Sequence, residues 1–315
     1  MNNNFTFSSY INLKLIEYVE NLEHGVFFGQ NVITGSRISG LGAHMDSLRN
    51  VSSFNTQNSE NTLFGMGFGL SIEGIPSIYL MKQHDFALLA IDHMVNTARL
   101  LQNHSNLATF LVLMVVVDSG YEGPQSNLNN LDDLYSISQA KISLLNNKNA
   151  IDYAFRSKRK AFEMFAISQK SLKSVLQMEE CLTIVDGFSV SDGLKALENI
   201  EPVLVNCGLV NDAFESCVNY LLESGVKFQI ARQIEMNLEE NIQLIKKLAK
   251  AERKFVIFDS SKSINKLSTH FSDTLKEMNS KVLYLTRDDY VHWNRVDHDQ
   301  FEIDNKAVLD FLVSR

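Results

Sequence analysis

The chain has 315 residues, of which 45% are hydrophobic and 21% are charged, so it can bury a sizeable core and is long enough for two domains. Its formal net charge of −8 at pH 7 provides no general basic surface for a phosphate backbone, which argues against nucleic acid as a partner. The longest apolar run, "FLVLMVVV" at 110–117, is far shorter than the roughly 20 residues that a membrane helix requires. We expect a globular protein that binds neither nucleic acid nor a membrane.

The N-terminal segment has no basic stretch ahead of an apolar core, so it does not resemble a secretory signal. Ser8 or Ser9 is a candidate N-cap for an amphipathic first helix. The three cysteines, Cys181, Cys207 and Cys217, form no CxxC pair and have no His-rich neighbourhood, which argues against a disulfide framework or a zinc site. The cytoplasm is the expected compartment.

Short apolar runs alternate with longer amphipathic segments along nearly the whole chain, which is typical of βαβ units on a parallel sheet. Two sets of strands are predicted, at 25–29, 76–81, 107–117 and 162–168, and at 202–208, 226–231, 254–260 and 281–286. Between them lies a polar span at 186–201, so we place a domain boundary near 185–200. The expected fold class is α/β, with two doubly wound domains that cover residues 1–190 and 200–315.

Glycines at positions 65, 67, 69 and 74 follow Glu60 in the stretch "ENTLFGMGFGLSIEG". A dinucleotide-binding fingerprint requires its glycines directly after a strand, and the residues before Gly65 do not resemble one. We predict a helix in which Gly65 and Gly69 lie near one face and let another backbone approach, within the fold or between subunits. Gly74 is expected to end this helix. Taken alone, Glu60 is explained as a carboxylate at the positive end of a helix dipole.

Four segments together resemble one enzyme family. They are "FFGQNV" at 27–32, "FNTQNSENTLFGMGFGLSIEGIPSIYL" at 54–80, "HDFALLAIDHMVNTA" at 84–98 and "EGPQS" at 122–126. This set is similar to the beta subunit of the first component of thiamine-diphosphate-dependent 2-oxo acid dehydrogenases, and to the C-terminal half of transketolases. The segments 167–172 and 202–261 continue the similarity. The resemblance implies a pyrimidine-binding domain followed by a smaller transketolase C-terminal-like domain.

The resemblance also implies a cofactor site. At the position of Glu60, the family has an acid that hydrogen-bonds the far ring nitrogen of the cofactor's aminopyrimidine and helps to remove the thiazolium proton. Phe86 falls where relatives place an aromatic residue beside the aminopyrimidine, and Gln83 lies near the position of a further aromatic ring in transketolases. Glu60 is thus the expected catalytic residue, and Glu60, Phe86 and Gln83 are the expected cofactor-binding residues. His84 is a candidate substrate residue or a satisfied surface histidine.

The stretch "EGPQS" departs from the family. The dehydrogenases read G-P-Q-H-S here and the transketolases read D-G-P-T-H, each placing a histidine at the substrate, whereas Gln125 is followed directly by Ser126 in this chain. Glu122, Gln125 and Ser126, together with His84, are the candidate substrate-binding residues. A plain loop after a buried strand is the alternative interpretation.

The family holds thiamine diphosphate through magnesium with a G-D-G motif and an Asn-Asn pair further along the chain. Neither "VDG" at 185–187 nor "SDG" at 191–193 is followed by such a pair. The resemblance therefore implies an alpha-type partner subunit that carries the diphosphate-binding domain, holds most of the magnesium contacts and assembles with this chain as an α2β2 complex. We expect no metal ligand in this chain.

Three functions fit these observations. The first is a beta-type subunit of a thiamine-diphosphate-dependent enzyme, similar to the 2-oxo acid dehydrogenases, that cleaves or forms a carbon-carbon bond next to a carbonyl. The second is a split transketolase or carboligase subunit that acts on a sugar derivative, which fits the missing histidine equally well. The third is a non-catalytic interaction subunit that keeps the fold. Retention of Glu60 argues against the third function, and loss of the histidine argues for it.

Overall fold

Two sheets, each flanked by helices, make up the described part of the chain. The computed structural model describes residues 5–101, 104, 106–118, 129–176, 182–191, 195–196, 198–209, 212–287 and 301–314. The strands are β1 (Gly25–Gly29), β2 (Val51–Asn55), β3 (Ser77–Met81), β4 (Phe110–Val116), β5 (Lys141–Leu144), β6 (Phe162–Ser168), β7 (Leu182–Val185), β8 (Phe188–Ser191), β9 (Val203–Cys207), β10 (Gln229–Gln233), β11 (Glu235–Met236), β12 (Lys254–Asp259) and β13 (Lys281–Thr286).

The α-helices in the described residues are α1 (Phe7–Glu20), α2 (Glu60–Ile72), α3 (Ala98–Leu101), α4 (Leu131–Ser138), α5 (Lys148–Arg156), α6 (Asp212–Glu223), α7 (Leu238–Leu248), α8 (Leu267–Glu277) and α9 (Asn305–Val313). Short 3-10 helices cover Met45–Ser47, His84–Ala90 and Lys170–Lys173, and one π-helical turn covers His93–Thr97. Among the described residues, no helix has both the length and the apolar character needed to cross a bilayer.

The first sheet has seven strands in the order β11-β5-β6-β4-β3-β1-β2. All of its pairings are parallel except the short one between β11 and β5. The second sheet has six strands in the order β13-β12-β9-β10-β8-β7. The first four strands in this order are parallel to one another. The predicted α/β fold class with two parallel-dominated units is therefore confirmed.

All eight predicted strands are present, but the sequence reasoning missed β2, β5, the short β11 and the hairpin of β7 and β8. The second half of the hairpin, from its turn onward, lies in the polar span at 186–201, in which no strand was predicted. Its turn, Asp186 and Gly187, has positive φ angles of 45° and 78°, and Asp-Gly is a strong signal for such a turn. The hairpin pairs with β10 of the second sheet, so residues 182–191 join that sheet, although the first domain was predicted to extend to residue 190. The domain boundary itself stays a prediction.

The N-cap of the first helix is Thr6, so the assignment to Ser8 or Ser9 was wrong. Thr6 Oγ1 accepts a hydrogen bond from Ser9 N at 3.2 Å, and Ser9 Oγ accepts one from Thr6 N at 2.9 Å. Ser9 occupies the third helical position, where its side chain reaches back to the cap. This reciprocal pair is a capping box with serine in place of the usual Glu or Gln.

The helix α2 is seated on β4 through a glycine. Gly67 lies over the ring of Phe110, and an added Cβ would stand 2.3 Å from that ring. Phe64 and Phe68 on either side of Gly67 meet Phe110 edge-on, at centroid distances of 5.6 and 5.2 Å. Close packing therefore explains this glycine. The helix ends before Gly74, which has a φ of 76°, as predicted.

The surroundings of the other two glycines of α2 differ from the prediction of a close backbone contact within the fold. Gly65 faces the His93 ring, at 3.2 Å from an added Cβ, and Gly69 faces open space. Among the described residues, no backbone approaches either of them within 4 Å. The part of the prediction that placed a close backbone contact within the fold was wrong for Gly65 and Gly69, and a contact between subunits stays a prediction.

Candidate active site at the carboxyl edge of the first sheet

The predicted site residues that the structure describes lie just beyond the carboxyl ends of β2 and β3, the two parallel strands on either side of β1. Glu60 follows β2, whereas Gln83, His84 and Phe86 follow β3. Open α/β sheets bind ligands at this edge, because the loops that leave parallel strands converge there. The topology of the first sheet therefore brings these residues to the same edge, although they do not share one pocket.

Glu60 is the first residue of α2, at the positive end of the helix dipole. It is buried, with 5% of its surface exposed. Among the described residues, its carboxylate has neither a hydrogen-bond donor nor an ion-pair partner. Because a buried charged group is normally satisfied by donors or a counterion, this carboxylate is suited to accept a hydrogen bond from a bound molecule.

Three aromatic rings form a ladder on the face of the sheet that α2 covers. The rings of Phe54, Phe28 and Tyr79 are directly opposite one another on β2, β1 and β3. The Phe28 ring stacks on Phe54 at 6.1 Å and 14°, and on Tyr79 at 5.3 Å and 6°. Phe54 ends the ladder and is 38% exposed. An aromatic ligand can stack on such a surface.

Tyr79 connects the aromatic ladder to Glu60. Burial raises the pKa of the Tyr79 hydroxyl well above its usual value of 10.0, and the negative charge of Glu60 raises it further. Phe64 of α2 packs edge-on against Tyr79 at 5.9 Å. Glu60 is thus near enough to Tyr79 to act on its ionisation, which places the carboxylate beside the aromatic core.

Phe86 lies on the same side of the sheet as Glu60. It is half-buried in the 3-10 helix His84–Ala90 and packs against the core that contains Phe28 and Tyr79. This 3-10 helix contacts α2. The placement is compatible with an aromatic residue beside the same ligand that Glu60 would contact, and also with a simple core residue.

Gln83 lines a different cavity, of about 140 Å³, that Glu60 and Phe86 do not line. The cavity walls come from the loop after β1 and from the ends of β3, β4 and β6, and comprise Asn31, Ser36, Ile38, Ser39, Lys82, Gln83, Val115, Gln169 and Leu172. The Gln83 side chain is buried and has no hydrogen-bond partner among the described residues. The structure therefore separates Gln83 from the other two predicted cofactor residues.

His84 is buried, with 2% of its surface exposed. Its Nε2 lies 2.8 Å from Asn130 Oδ1, and its Nδ1 lies 3.4 Å from Asp85 Oδ2. The histidine thereby ties the segment after β3 to the residue that precedes α4. It is not a surface histidine, as one interpretation had it, and contact with a substrate stays a prediction.

The remaining predicted substrate residues, Glu122, Gln125 and Ser126, lie outside the described residues. Asp118, which precedes that stretch, was missed by the sequence reasoning. It is buried at the end of β4 and accepts a hydrogen bond from Ser168 Oγ at 2.6 Å. Burial raises the pKa of the Asp118 carboxyl to about 6. The sequence signal that could have identified Asp118 is a single acidic residue directly after an apolar strand.

No group of three or more His, Cys, Asp or Glu residues in the described part of the chain is arranged to hold a metal ion. Cys207 and Cys217 are buried free thiols. Burial raises the pKa of the Cys217 thiol to about 11, and it raises that of Cys207 well above the usual value, with smaller contributions from Asp259 and Asp132. Neither thiol is therefore a ready nucleophile.

Three solved structures share this architecture. A split-gene transketolase, solved as an inactive beta4 tetramer, aligns with a TM-score of 0.67 and 13% identity over 98% of this chain and 99% of its own. The chain has a transketolase-like fold. A transketolase from Campylobacter jejuni aligns at 0.64 and 12% over 98% of this chain and 46% of its own. The 2-oxoglutarate:ferredoxin oxidoreductase from Magnetococcus marinus aligns at 0.58 and 9%, over 97% of this chain and 64% of its own.

The transketolase-like fold confirms the expectation from the sequence resemblance. Neither a family model nor a curated protein matches the chain. Because the identities are at most 13%, the likeness establishes the fold and not the chemistry. The chain spans almost all of the split transketolase chain but less than half of the Campylobacter jejuni enzyme.

Proposed function

We propose that this chain is a beta-type subunit of a thiamine-diphosphate-dependent enzyme, which cleaves or forms a carbon-carbon bond next to a carbonyl and resembles the 2-oxo acid dehydrogenases. The observation that carries the proposal is the buried Glu60 carboxylate, which has no partner among the described residues and lies at the carboxyl edge of a transketolase-like sheet. A carboxyl group here can share one proton with an aminopyrimidine ring nitrogen, donating it to the neutral ring or accepting it from the protonated ring.

The described residues fit the ring end of thiamine diphosphate. Glu60 would hold or share a proton at the far ring nitrogen, and Phe86 and the aromatic ladder would orient the ring and exclude water. The cofactor, when bound, supplies a nucleophilic carbon that attacks a carbonyl. For the diphosphate and its magnesium, the described residues contain no matching cluster.

We infer that an alpha-type partner subunit holds the diphosphate and magnesium, and that the two subunits assemble as an α2β2 complex. A split-gene transketolase, solved as an inactive beta4 tetramer, supports this division, because it shares the fold over 98% of this chain and 99% of its own. The Campylobacter jejuni transketolase supports it as well, since this chain matches only 46% of that longer chain. We also propose that this complex is cytoplasmic.

A split transketolase or carboligase subunit that acts on a sugar derivative is the second candidate. Two observations support this candidate: Gln125 is followed directly by Ser126, without the histidine of the 2-oxo acid dehydrogenases, and a split-gene transketolase shares the fold. The candidate substrate residues His84, Glu122, Gln125 and Ser126 belong to either chemistry. The third candidate, a non-catalytic interaction subunit, would be indicated by slow exchange of the thiazolium proton in the wild-type complex.

Exchange of the thiazolium proton of bound thiamine diphosphate tests the proposal without a known substrate. Glu60→Gln keeps the shape and one acceptor but cannot titrate, so we expect exchange about 10² to 10⁴-fold slower than in the wild-type complex. Quenched-flow NMR on the assembled complex measures this rate, and calorimetry first establishes that both complexes bind the cofactor and magnesium. We expect negligible binding to the isolated chain.

Equal exchange rates in the two loaded complexes would remove Glu60 from the mechanism. Slow exchange in the wild-type complex itself would favour the non-catalytic interaction subunit. Micromolar binding of thiamine diphosphate to the isolated chain would contradict the division of the site between two subunits.

A further inference from the structure

A cleft lies between the carboxyl edges of the two sheets, away from Glu60. Asn146 and Ser171, which follow β5 and β6, line one side, and Asp212 at the start of α6 lines the other. We call it the inter-sheet cleft. In the first sheet, β4, β3 and β1 separate β6 from β2, the strand that precedes Glu60. Ligands of parallel α/β sheets bind at carboxyl edges, so the cleft is a candidate for a second binding site.

The floor of the inter-sheet cleft is held by buried hydrogen bonds that cross between the sheets. Asn146 Nδ2 donates to Gly208 O at 2.9 Å and to Gln233 O at 2.6 Å, at the ends of β9 and β10. Asn146 Oδ1 accepts from Asn147 Nδ2 at 3.1 Å, and Asn147 caps α5 by accepting from Ala150 N at 2.9 Å. The two sides of the cleft are therefore fixed relative to each other before any ligand binds.

Ser171 lines this cleft with a hydroxyl that the fold does not use. The residue is 5% exposed. Its backbone amide donates to Ser168 Oγ at 3.3 Å, but its own hydroxyl has no hydrogen-bond partner within the described part of the chain. Buried hydroxyl groups are normally hydrogen-bonded. The Ser171 hydroxyl is therefore free to contact a molecule in the cleft.

The cleft carries one ammonium group and one carboxylate side by side at its mouth. Lys170 and Asp212 form an ion pair there, with side chains that are 59% and 65% exposed. The nearby Glu215 carboxylate is compensated, because Arg232 donates to it from Nη1 at 2.6 Å and from Nη2 at 3.2 Å. Exposed ion pairs contribute little to stability. A ligand can thus separate Lys170 from Asp212 at small cost.

An apolar wall faces these polar groups. Phe7 and Leu176 are nearly buried in it, with 7% and 6% of their surfaces exposed. Val175 lines the same wall but is 55% exposed. The wall is fixed in place because Phe7 N donates to Ser174 O at 3.1 Å. An apolar group bound here would remove the Val175 side chain from water.

We propose that the inter-sheet cleft binds a free α-amino acid with an aliphatic side chain. The carboxylate of the ligand contacts Lys170 and the Ser171 hydroxyl, its ammonium group contacts Asp212, and its side chain covers Val175. A ligand with both charges satisfies both members of the ion pair, whereas a simple carboxylate or amine leaves one member unpaired. This site is separate from Glu60, and the inference does not rest on the proposed function.

The size of the cleft agrees with such a ligand. Its volume is about 140 Å³, whereas pockets for drug-sized ligands are typically about 300 to 1,000 Å³. A single amino acid is therefore a better match than a nucleotide or a peptide.

Titration of the full chain with L-leucine tests the inference, followed by NMR of the backbone amides. We expect saturable binding with a Kd of about 1 mM or below, with shifts centred on Phe7, Asn147 and Ser171. Isocaproate lacks the ammonium group of leucine, and isoamylamine lacks its carboxylate. Each should bind at least about tenfold more weakly, because one charge-assisted contact is lost.

Two variants assign the contacts. Ser171→Ala should weaken leucine binding by about tenfold through the lost hydrogen bond. Asp212→Asn should weaken leucine binding by at least about tenfold and should not weaken isocaproate binding. Asp273→Asn is the matched control, because Asp273 is an exposed acid of α8 that does not line the cleft. It should bind leucine as the wild type does.

Three results would overturn the proposal. The first is the absence of saturable leucine binding to the wild type. The second is equal binding of leucine and isocaproate, which would indicate a site for simple carboxylates. The third is wild-type leucine affinity in both Ser171→Ala and Asp212→Asn, which would place the binding elsewhere. The comparison of the three probes on the wild type decides the matter if a variant fails to fold.

Discussion

Two buried carboxyl groups of this molecule, Asp259 and Glu60, have different surroundings. At the end of β12, Asp259 accepts hydrogen bonds from Ser261 N and Ser268 Oγ, and the Ser261 hydroxyl in turn donates to Asn129 O, next to α4. At the carboxyl edge of the first sheet, Glu60 is also buried, with 5% of its surface exposed, but its carboxylate has no partner among the described residues. The difference indicates that the fold uses the first carboxyl for its own stability and leaves the second one for a bound molecule.

Removal of the Asp259 carboxyl should have the largest effect on stability. Asp259→Ala leaves the Ser261 amide and the Ser268 hydroxyl buried without this acceptor, and each such loss costs about 1 to 3 kcal/mol. We expect the free energy of unfolding to fall by about 2 to 4 kcal/mol in urea denaturation near pH 5. A loss below about 1 kcal/mol would show that the fold does not depend on this carboxyl.

A change in the packing of α2 against β4 should have a second, smaller effect on stability. Gly67→Ala brings a Cβ to within 2.3 Å of the Phe110 ring, so repacking should cost about 1 to 3 kcal/mol of unfolding free energy. Gly69→Ala is the matched control on the same helix, because Gly69 faces open space. It should stabilise the chain by up to about 1 kcal/mol. Equal effects in thermal unfolding would contradict the view that the contact with Phe110 positions the helix that begins at Glu60.

The sequence alone predicted the α/β class and the central strands, because β3, β4 and β6 are buried on both faces and read as continuous apolar runs. It missed β2, since most of "VSSFN" is exposed or half-exposed at an edge of the sheet. It also missed the hairpin of β7 and β8, where polarity outweighed the Asp-Gly turn signal. Local composition identifies buried parallel strands better than short edge strands.

The candidate site was predictable only in part. The position of Glu60 at the start of a glycine-bearing helix is a local feature and was found. The ladder of Phe28, Phe54 and Tyr79 depends on the register of three separate strands, which no local pattern specifies. The separation of Gln83 from Glu60 likewise follows from which side of the sheet each side chain occupies.

The smallest predicted effect is the most direct test of the central claim, that the fold does not need the Glu60 carboxylate for its own stability. The unfolding free energies of wild type, Glu60→Gln and Glu239→Gln are compared in urea at neutral pH. Glu239 is the control, because it is an exposed acid in the first turn of α7. The control should lose about 0.3 to 1 kcal/mol of helix-dipole stabilisation.

Glu60→Gln should be unchanged or more stable by up to about 1 kcal/mol, since a neutral amide is easier to bury than an unpartnered charge. A loss of more than about 1 kcal/mol for Glu60→Gln would mean that the fold itself uses this carboxylate, and the account would be contradicted.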